Sequence, residues 1–230
     1  MATIKILDKI DITINGLRKV LKKEDIFLHQ GDMDGACTVY SLMMALIIED
    51  AINFKDTALD AQEDKDQREA KQKLFKAFTS ELGLIRGGLN LKEDVQSILK
   101  KTFSKYVKSE HCQGKDVDVF VRNSIDKGHP CIGVVSYRGG KTSHAVCVVG
   151  YEIGEEEEIV TKIFCLDPGA DKPLTSYWNT VIILNADPSA SIYTDYYLNS
   201  SSIFSQDVSF DEALKVEKRN KSKTNNSQIK

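Results

Sequence analysis

Cys37, His144 and Asp167, with Gln30 as a fourth member, are the residues whose types, order and settings would make a nucleophilic thiol site. A cysteine attacks as its thiolate, and a helix N-terminus favours that anion through its free N–H groups and dipole. From Ala36 to Asp50 the apolar spacing is helical and nearly all-round, with no Gly or Pro inside, which predicts a buried helix bearing Cys37 in its first turn. The loop before it, Gly31 to Ala36, holds two glycines and would let a substrate backbone come close.

The base must come from elsewhere in the chain and stand on a rigid element. His144 opens the apolar strand His-Ala-Val-Cys-Val-Val-Gly-Tyr, and Asp167 closes the next one. A hairpin turning near Glu155 and Glu156 would set the two opposite each other at its open end, whereas a slip of one residue would put them on opposite faces. A carboxylate there would accept the second imidazole N–H and fix its tautomer. Gln30 lies seven residues before Cys37, so its amide would donate toward the same oxygen as the Cys37 N–H, a two-donor oxyanion hole. The other cysteines, Cys112, Cys131, Cys147 and Cys165, read as small buried hydrophobes, and His29, His111 and His129 as satisfied histidines.

The elements that position these residues read as α+β. Ile4 to Ile14 alternates and ends at the Asn15-Gly16 turn signal, giving one or two strands, and Leu17 to Lys23 reads as a helical turn or two. Residues 50–125 read as a helical insertion. Leu74, Phe75 and Phe78 mark one helical face, Asn90 with Glu93 resembles a cap and its capping-box partner before a helix to about Lys105, and Val117 to Ile125 forms a further short helix. The period then changes to that of strands. Cys131 to Tyr137, His144 to Tyr151 and Ile159 to Asp167 should form an antiparallel meander, with Val181 to Leu184 and Ser191 to Tyr197 adding strands. Residues 1–23 read as an N-terminal extension, 24–205 as the catalytic domain, and 206–230 as a polar tail, a frayed helix followed by disorder.

Gln30, Asp32, Asp34, Gly35 and Cys37, then Ser143-His144-Ala-Val-Cys-Val-Val-Gly-Tyr, then Leu166-Asp167-Pro168-Gly169 and a downstream Trp178 resemble the papain-like cysteine peptidases. The nearest type is the bacteriocin-processing, double-glycine peptidase. The resemblance covers residues 27–48, 130–151 and 159–184, in the family's order. It implies a helix bearing the Cys packed on an antiparallel sheet bearing the His and Asp, with Gln30, Cys37, His144 and Asp167 in the family's roles. The Gln-to-Cys interval is one residue longer than the family's.

Bulk properties narrow the partners. The chain has 230 residues, 41% apolar and 28% charged, ordinary values for a soluble globular protein. A net charge of −3 with interspersed signs offers no phosphate-tracking surface, so nucleic acid is not expected as a partner. The N-terminus lacks a signal-peptide pattern and Leu42 to Ile48 is too short to cross a bilayer, so a soluble, cytoplasmic protein without membrane insertion is expected. Five cysteines without CxxC pairs suit neither a disulfide framework nor a thiolate zinc site.

The expected partner is a protein or peptide substrate, with neither metal nor organic cofactor required, and one such role is an effector acting inside a cell. Glutamine deamidases and transglutaminases would use the same triad on a side-chain amide, and an inactive papain-like binding module is a third reading. Asp34 reads as a helix cap rather than a calcium ligand, Glu155 to Glu158 as a solvated turn, and Gly87-Gly88 as a helix end rather than a self-processing site.

Overall fold

The structure, a computed structural model, describes residues 2–31, 35–58, 66, 68–78, 88–137, 142–154, 159–184, 191–195 and 204–219. The readings placed on Asp32, Asp34, Gly87 and Glu155 to Glu158 lie outside these residues.

The N-terminal alternation makes two strands, β1 (Thr3–Ile6) and β2 (Ile10–Thr13). Leu17 and its neighbours are not helical: Gly16, at φ +91°, turns the chain straight back into β3 (Gly16–Lys19), which pairs with β2. The buried helix follows as α1 (Cys37–Ile48), in which every residue but Tyr40 is buried. It ends in a Schellman motif: Asp50, at φ +56°, donates to the Ile47 carbonyl at 3.0 Å and Ala51 to that of Leu46 at 2.9 Å.

Helical elements recur after α1, as α2 (Ala70–Lys76), two π-helical stretches (Leu91–Gln96 and Leu99–Phe103) and α3 (Val117–Asp126). Asn90 is the cap of the first stretch, accepting from the Lys92 and Glu93 N–H groups at 2.9 Å each. The carboxylate that returns to the Asn90 N–H is Asp94 rather than Glu93, because the wider turn brings the next residue under the cap. The insertion also contains a strand, β4 (Val107–Gln113). Its alternation carries one strongly apolar residue, Val107, so hydropathy gives no sign of it.

The second half of the chain holds the strands as expected: β5 (Cys131–Tyr137), β6 (Ser143–Ile153), β7 (Val160–Leu166), β8 (Thr180–Ile183) and β9 (Ser191–Asp195). Residues 206–218 are not a disordered tail. They belong to β10 (Phe204–Lys218), which pairs with β9, β5 and β4. A bulge between Phe210 and Glu212 shifts the alternation by one, so buried Phe210, Ala213 and Leu214 fall at helical spacing in the sequence. That is why the segment resembled a fraying helix.

Pairing runs β6–β5–β10–β9–β8–β7 and returns from β7 to β6, so six antiparallel strands close on themselves. β1 adds to β6, and β4 to β10. The fold is therefore α+β with an antiparallel sheet, and α1 packs along β6, the strand that begins with Ser143 and His144. Among the described residues, no helix is long and apolar enough to cross a membrane.

Candidate active site

The β6–β7 ladder places the imidazole and the carboxylate together by a route other than direct opposition. Cys147 faces Leu166, two residues along from the pairing the sequence suggested, so Asp167 lies just past the last rung. A shift of two preserves the face on which side chains stand. His144 and Asp167 therefore remain on one side of the sheet as diagonal neighbours, and His144 Nε2 meets Asp167 Oδ1 at 2.5 Å. A carboxylate only accepts, so Nε2 carries the proton and Nδ1 is left for the thiol.

Asp167 is held from several directions. Its Oδ1 also accepts from the Gly169 N–H at 2.7 Å, which folds the Asp167-Pro168-Gly169 turn around the carboxylate. A Cβ on Gly169 would stand 3.3 Å from that oxygen, so the turn needs glycine's small size there. Asn179, itself buried, grips the Asp167 main chain: its Oδ1 accepts from the Asp167 N–H at 2.7 Å and its Nδ2 donates to the Asp167 carbonyl at 2.9 Å. Trp178 stacks on Phe164 with ring centroids 4.1 Å apart, fixing the segment that leads into Asn179.

Cys37 is the first residue of α1, and its cap, Ala36, makes no side-chain bond to the helix start. Beyond the Cys147–Leu166 rung, Ala145 has no β7 partner, and α1 takes up both of its peptide groups. The Ala145 N–H points at Cys37 Sγ, 3.4 Å away, and Ser41 Oγ donates to the Ala145 carbonyl at 3.0 Å. The helix is thereby registered on the strand next to the base.

The electrostatics distinguish this thiol from the other four. Burial is the largest influence on Cys37 and disfavours its anion. The hydrogen bond and charge of His144, the Ala145 N–H and the Thr38 hydroxyl together outweigh it, and the thiol titrates below its ordinary value. Burial likewise opposes the His144 cation, but the bonds to Asp167 and Cys37 raise it to about 10. Both shifts favour a thiolate–imidazolium pair. Burial dominates elsewhere: it raises Cys112, pushes Cys131 up to about 12, and raises Cys147 and Cys165 well above the ordinary thiol value.

Gln30 is placed near this group by its main chain, its N–H donating to the Pro168 carbonyl at 2.7 Å. The cavity of about 220 Å³ at the sulfur is lined by Cys37, Thr38, Gly88, Leu89, Val134 and Glu212, among others, and Gln30 does not line it. The structure therefore brings Cys37, His144 and Asp167 into one bonded chain and ties the Gln30 main chain to the turn that follows Asp167. His29 is exposed, while His111 and His129 bond to Glu212 and Glu49. Among the described residues no cluster of His, Cys, Asp or Glu is arranged to hold a metal ion.

Asn179, Ser41, Thr38 and the Ala145 N–H were not foreseen from the sequence. A backbone donor has no sequence signal, and a lone Asn before a short strand has a weak one. Compared with known proteins, the chain matches no family model and no curated protein.

Proposed function

We propose that this chain is a papain-like cysteine peptidase, which hydrolyses a peptide bond through an acyl-enzyme on Cys37. The observation that carries the reading is the bonded series from Cys37 through His144 to Asp167, at the start of a buried helix and facing a cavity. The Cys37 thiolate attacks the carbonyl carbon, and the His144 imidazolium gives its Nδ1 proton to the leaving amine. Neutral His144 then takes a proton from water, whose oxygen displaces the thiolate and releases the acid. Asp167 keeps the ring oriented and compensates its charge throughout.

The oxyanion of each tetrahedral intermediate needs donors, and the Cys37 N–H at the uncapped start of α1 is one. Gln30 is the second in this reading, its main chain anchored on the turn that follows Asp167. An antiparallel sheet carrying the His and Asp, with the Cys helix packed on it, is the arrangement that the papain-like resemblance implies, and this sheet and helix support the reading.

The test is a proteome-derived peptide library incubated with the protein and with Cys37→Ala, read by mass spectrometry. New termini that depend on Cys37 support peptide-bond hydrolysis. Conversion of glutamine to glutamate without cleavage would replace it with deamidation, and identical digests with intact Cys37 would oppose both. Gln30→Ala should reduce turnover by roughly 10²- to 10³-fold, the cost of one oxyanion donor, and should affect simple alkylation of Cys37 far less.

A further inference from the structure

The cleft has a floor that the thiol chemistry does not use. Glu212, Val134 and Ala145 stand in one row across β10, β5 and β6, with Glu212 paired to Val134 and Val134 to Ala145. Residues paired directly in antiparallel strands project to the same face. Neighbouring strands lie about 4.8 Å apart, so the row spans roughly 10 Å from Ala145 to Glu212. Its near end is the residue whose N–H touches Cys37 Sγ.

Glu212 reaches this row because of the bulge in β10. Phe210 faces Val135, Asp211 is passed over, and Glu212 takes the place opposite Val134. In an unbroken ladder Asp211 would stand there, and Glu212 would face the other side. His111 on β4 then fixes the carboxylate, with Nε2 donating to Oε1 at 2.8 Å. Both side chains are largely buried, 10% exposed for His111 and 15% for Glu212. Val134 and Leu89, half-buried, supply apolar surface between this carboxylate and the sulfur.

The cavity, about 220 Å³, is smaller than those that enclose drug-sized ligands, and its size suits one long side chain. Cys37 and His144 compensate each other as thiolate and imidazolium, which leaves Glu212 as the remaining carboxylate in the lining. Long basic side chains lay their methylenes on apolar surface and keep the charged head on a polar partner.

Resting on the thiol-peptidase reading, we propose that this row is a specificity subsite for Lys or Arg beside the scissile bond, with the stem over Val134 and Leu89 and the cation on Glu212. His111 is a positioning residue that holds one carboxylate oxygen and leaves the other for the substrate.

The experiment compares three peptidyl acyloxymethyl ketones that differ in one residue, Lys, norleucine or Glu, at the two positions nearest the reactive carbon. Iodoacetamide serves as a neutral probe of the thiol, and labelling of Cys37 is read by intact mass and peptide mapping. The Lys ketone should label roughly 10- to 100-fold faster than the norleucine ketone, the range of a charge-assisted hydrogen bond, and the Glu ketone slowest. Glu212→Gln should bring the Lys-to-norleucine ratio close to one, and Glu212→Asp should lower it.

Equal rates for the Lys and norleucine ketones, with iodoacetamide still choosing Cys37, overturn the subsite and leave the thiol reading standing. A preference for Lys that survives Glu212→Gln overturns its assignment to Glu212. If iodoacetamide labels Cys37 no faster than Cys131, the thiol reading fails and the subsite with it. Should Glu212→Gln not fold, the order of the three ketones on the unaltered protein still decides.

Discussion

The Ala145 N–H lies 3.4 Å from Cys37 Sγ, so the residue following His144 supplies a donor to the Cys37 thiol. The same residue's carbonyl accepts from Ser41 on the next turn of α1. One strand residue thus sets both the position of the helix and the polarity around its thiol.

Ser41→Ala should separate these effects. Ser41 is fully buried, and its loss leaves the Ala145 carbonyl without its helix donor, at a cost of about 1 to 3 kcal/mol. Urea unfolding measures that. Because α1 is then less firmly registered on β6, alkylation of Cys37 at neutral pH should slow as well, while Ser41→Thr, which keeps the hydroxyl, should restore part of the rate.

Asn179 is the equivalent fixture for the carboxylate. Asn179→Ala removes the bonds to the Asp167 N–H and carbonyl, and also the bond to the Asp171 carbonyl. It should destabilise by about 1 to 3 kcal/mol per buried group left unpaired. Asp167→Asn should instead leave the fold nearly intact and reduce turnover by roughly 10²- to 10⁴-fold, because the imidazole loses its orienting acceptor. Denaturation midpoints and steady-state rates of the two variants, compared side by side, distinguish scaffold from chemistry.

The pH profile of turnover follows from the two shifts. Hydrolysis requires thiolate and imidazolium together, a state that begins below the ordinary thiol value of 9.0 and persists until His144 deprotonates near 10. Activity should therefore begin to rise below pH 9.0 and fall as the pH passes about 10. A profile that climbs only above pH 9.0 would mean an unpaired thiol.

A separate pH effect belongs to the far end of α1. Burial works against the Asp50 carboxylate, yet Lys218, Lys22 and Lys19 bond to it and hold its carboxyl well below the usual range. A depressed folded-state value adds stability above the unfolded carboxyl value, near 3.9, which is lost as the pH falls further. Asp50→Asn tolerates the same positive φ and removes only the charge, so it should cost about 1 to 2 kcal/mol at pH 7. The deficit, read from urea midpoints, should shrink toward pH 3.

The strands of the meander and the buried α1 were legible in the sequence because each has a strong period and one continuous apolar set. Cys37, His144 and Asp167 stood out together for a related reason, as each stands at the end of one of those elements. β10 was hidden because its bulge turns an alternating pattern into helical spacing at Phe210, Ala213 and Leu214. The hairpin register was likewise misjudged by two residues, because the ladder already sets Ile153 opposite Val160 at its turn end; the shifts between Val148 and Gly150 and between Glu152 and Ile153 cancel each other. Glu212 went unnoticed because its place in the cleft depends on the strand that was not foreseen.

If His144 makes a reactive thiolate of Cys37, the rate of Cys37 alkylation by iodoacetamide as a function of pH must depend on both residues. The unaltered protein should show a midpoint below 9.0, and His144→Ala should move it upward, because burial is then opposed only by the Ala145 N–H and the Thr38 hydroxyl. An unchanged midpoint in His144→Ala, or labelling of Cys37 no faster than of buried Cys131, would contradict the account.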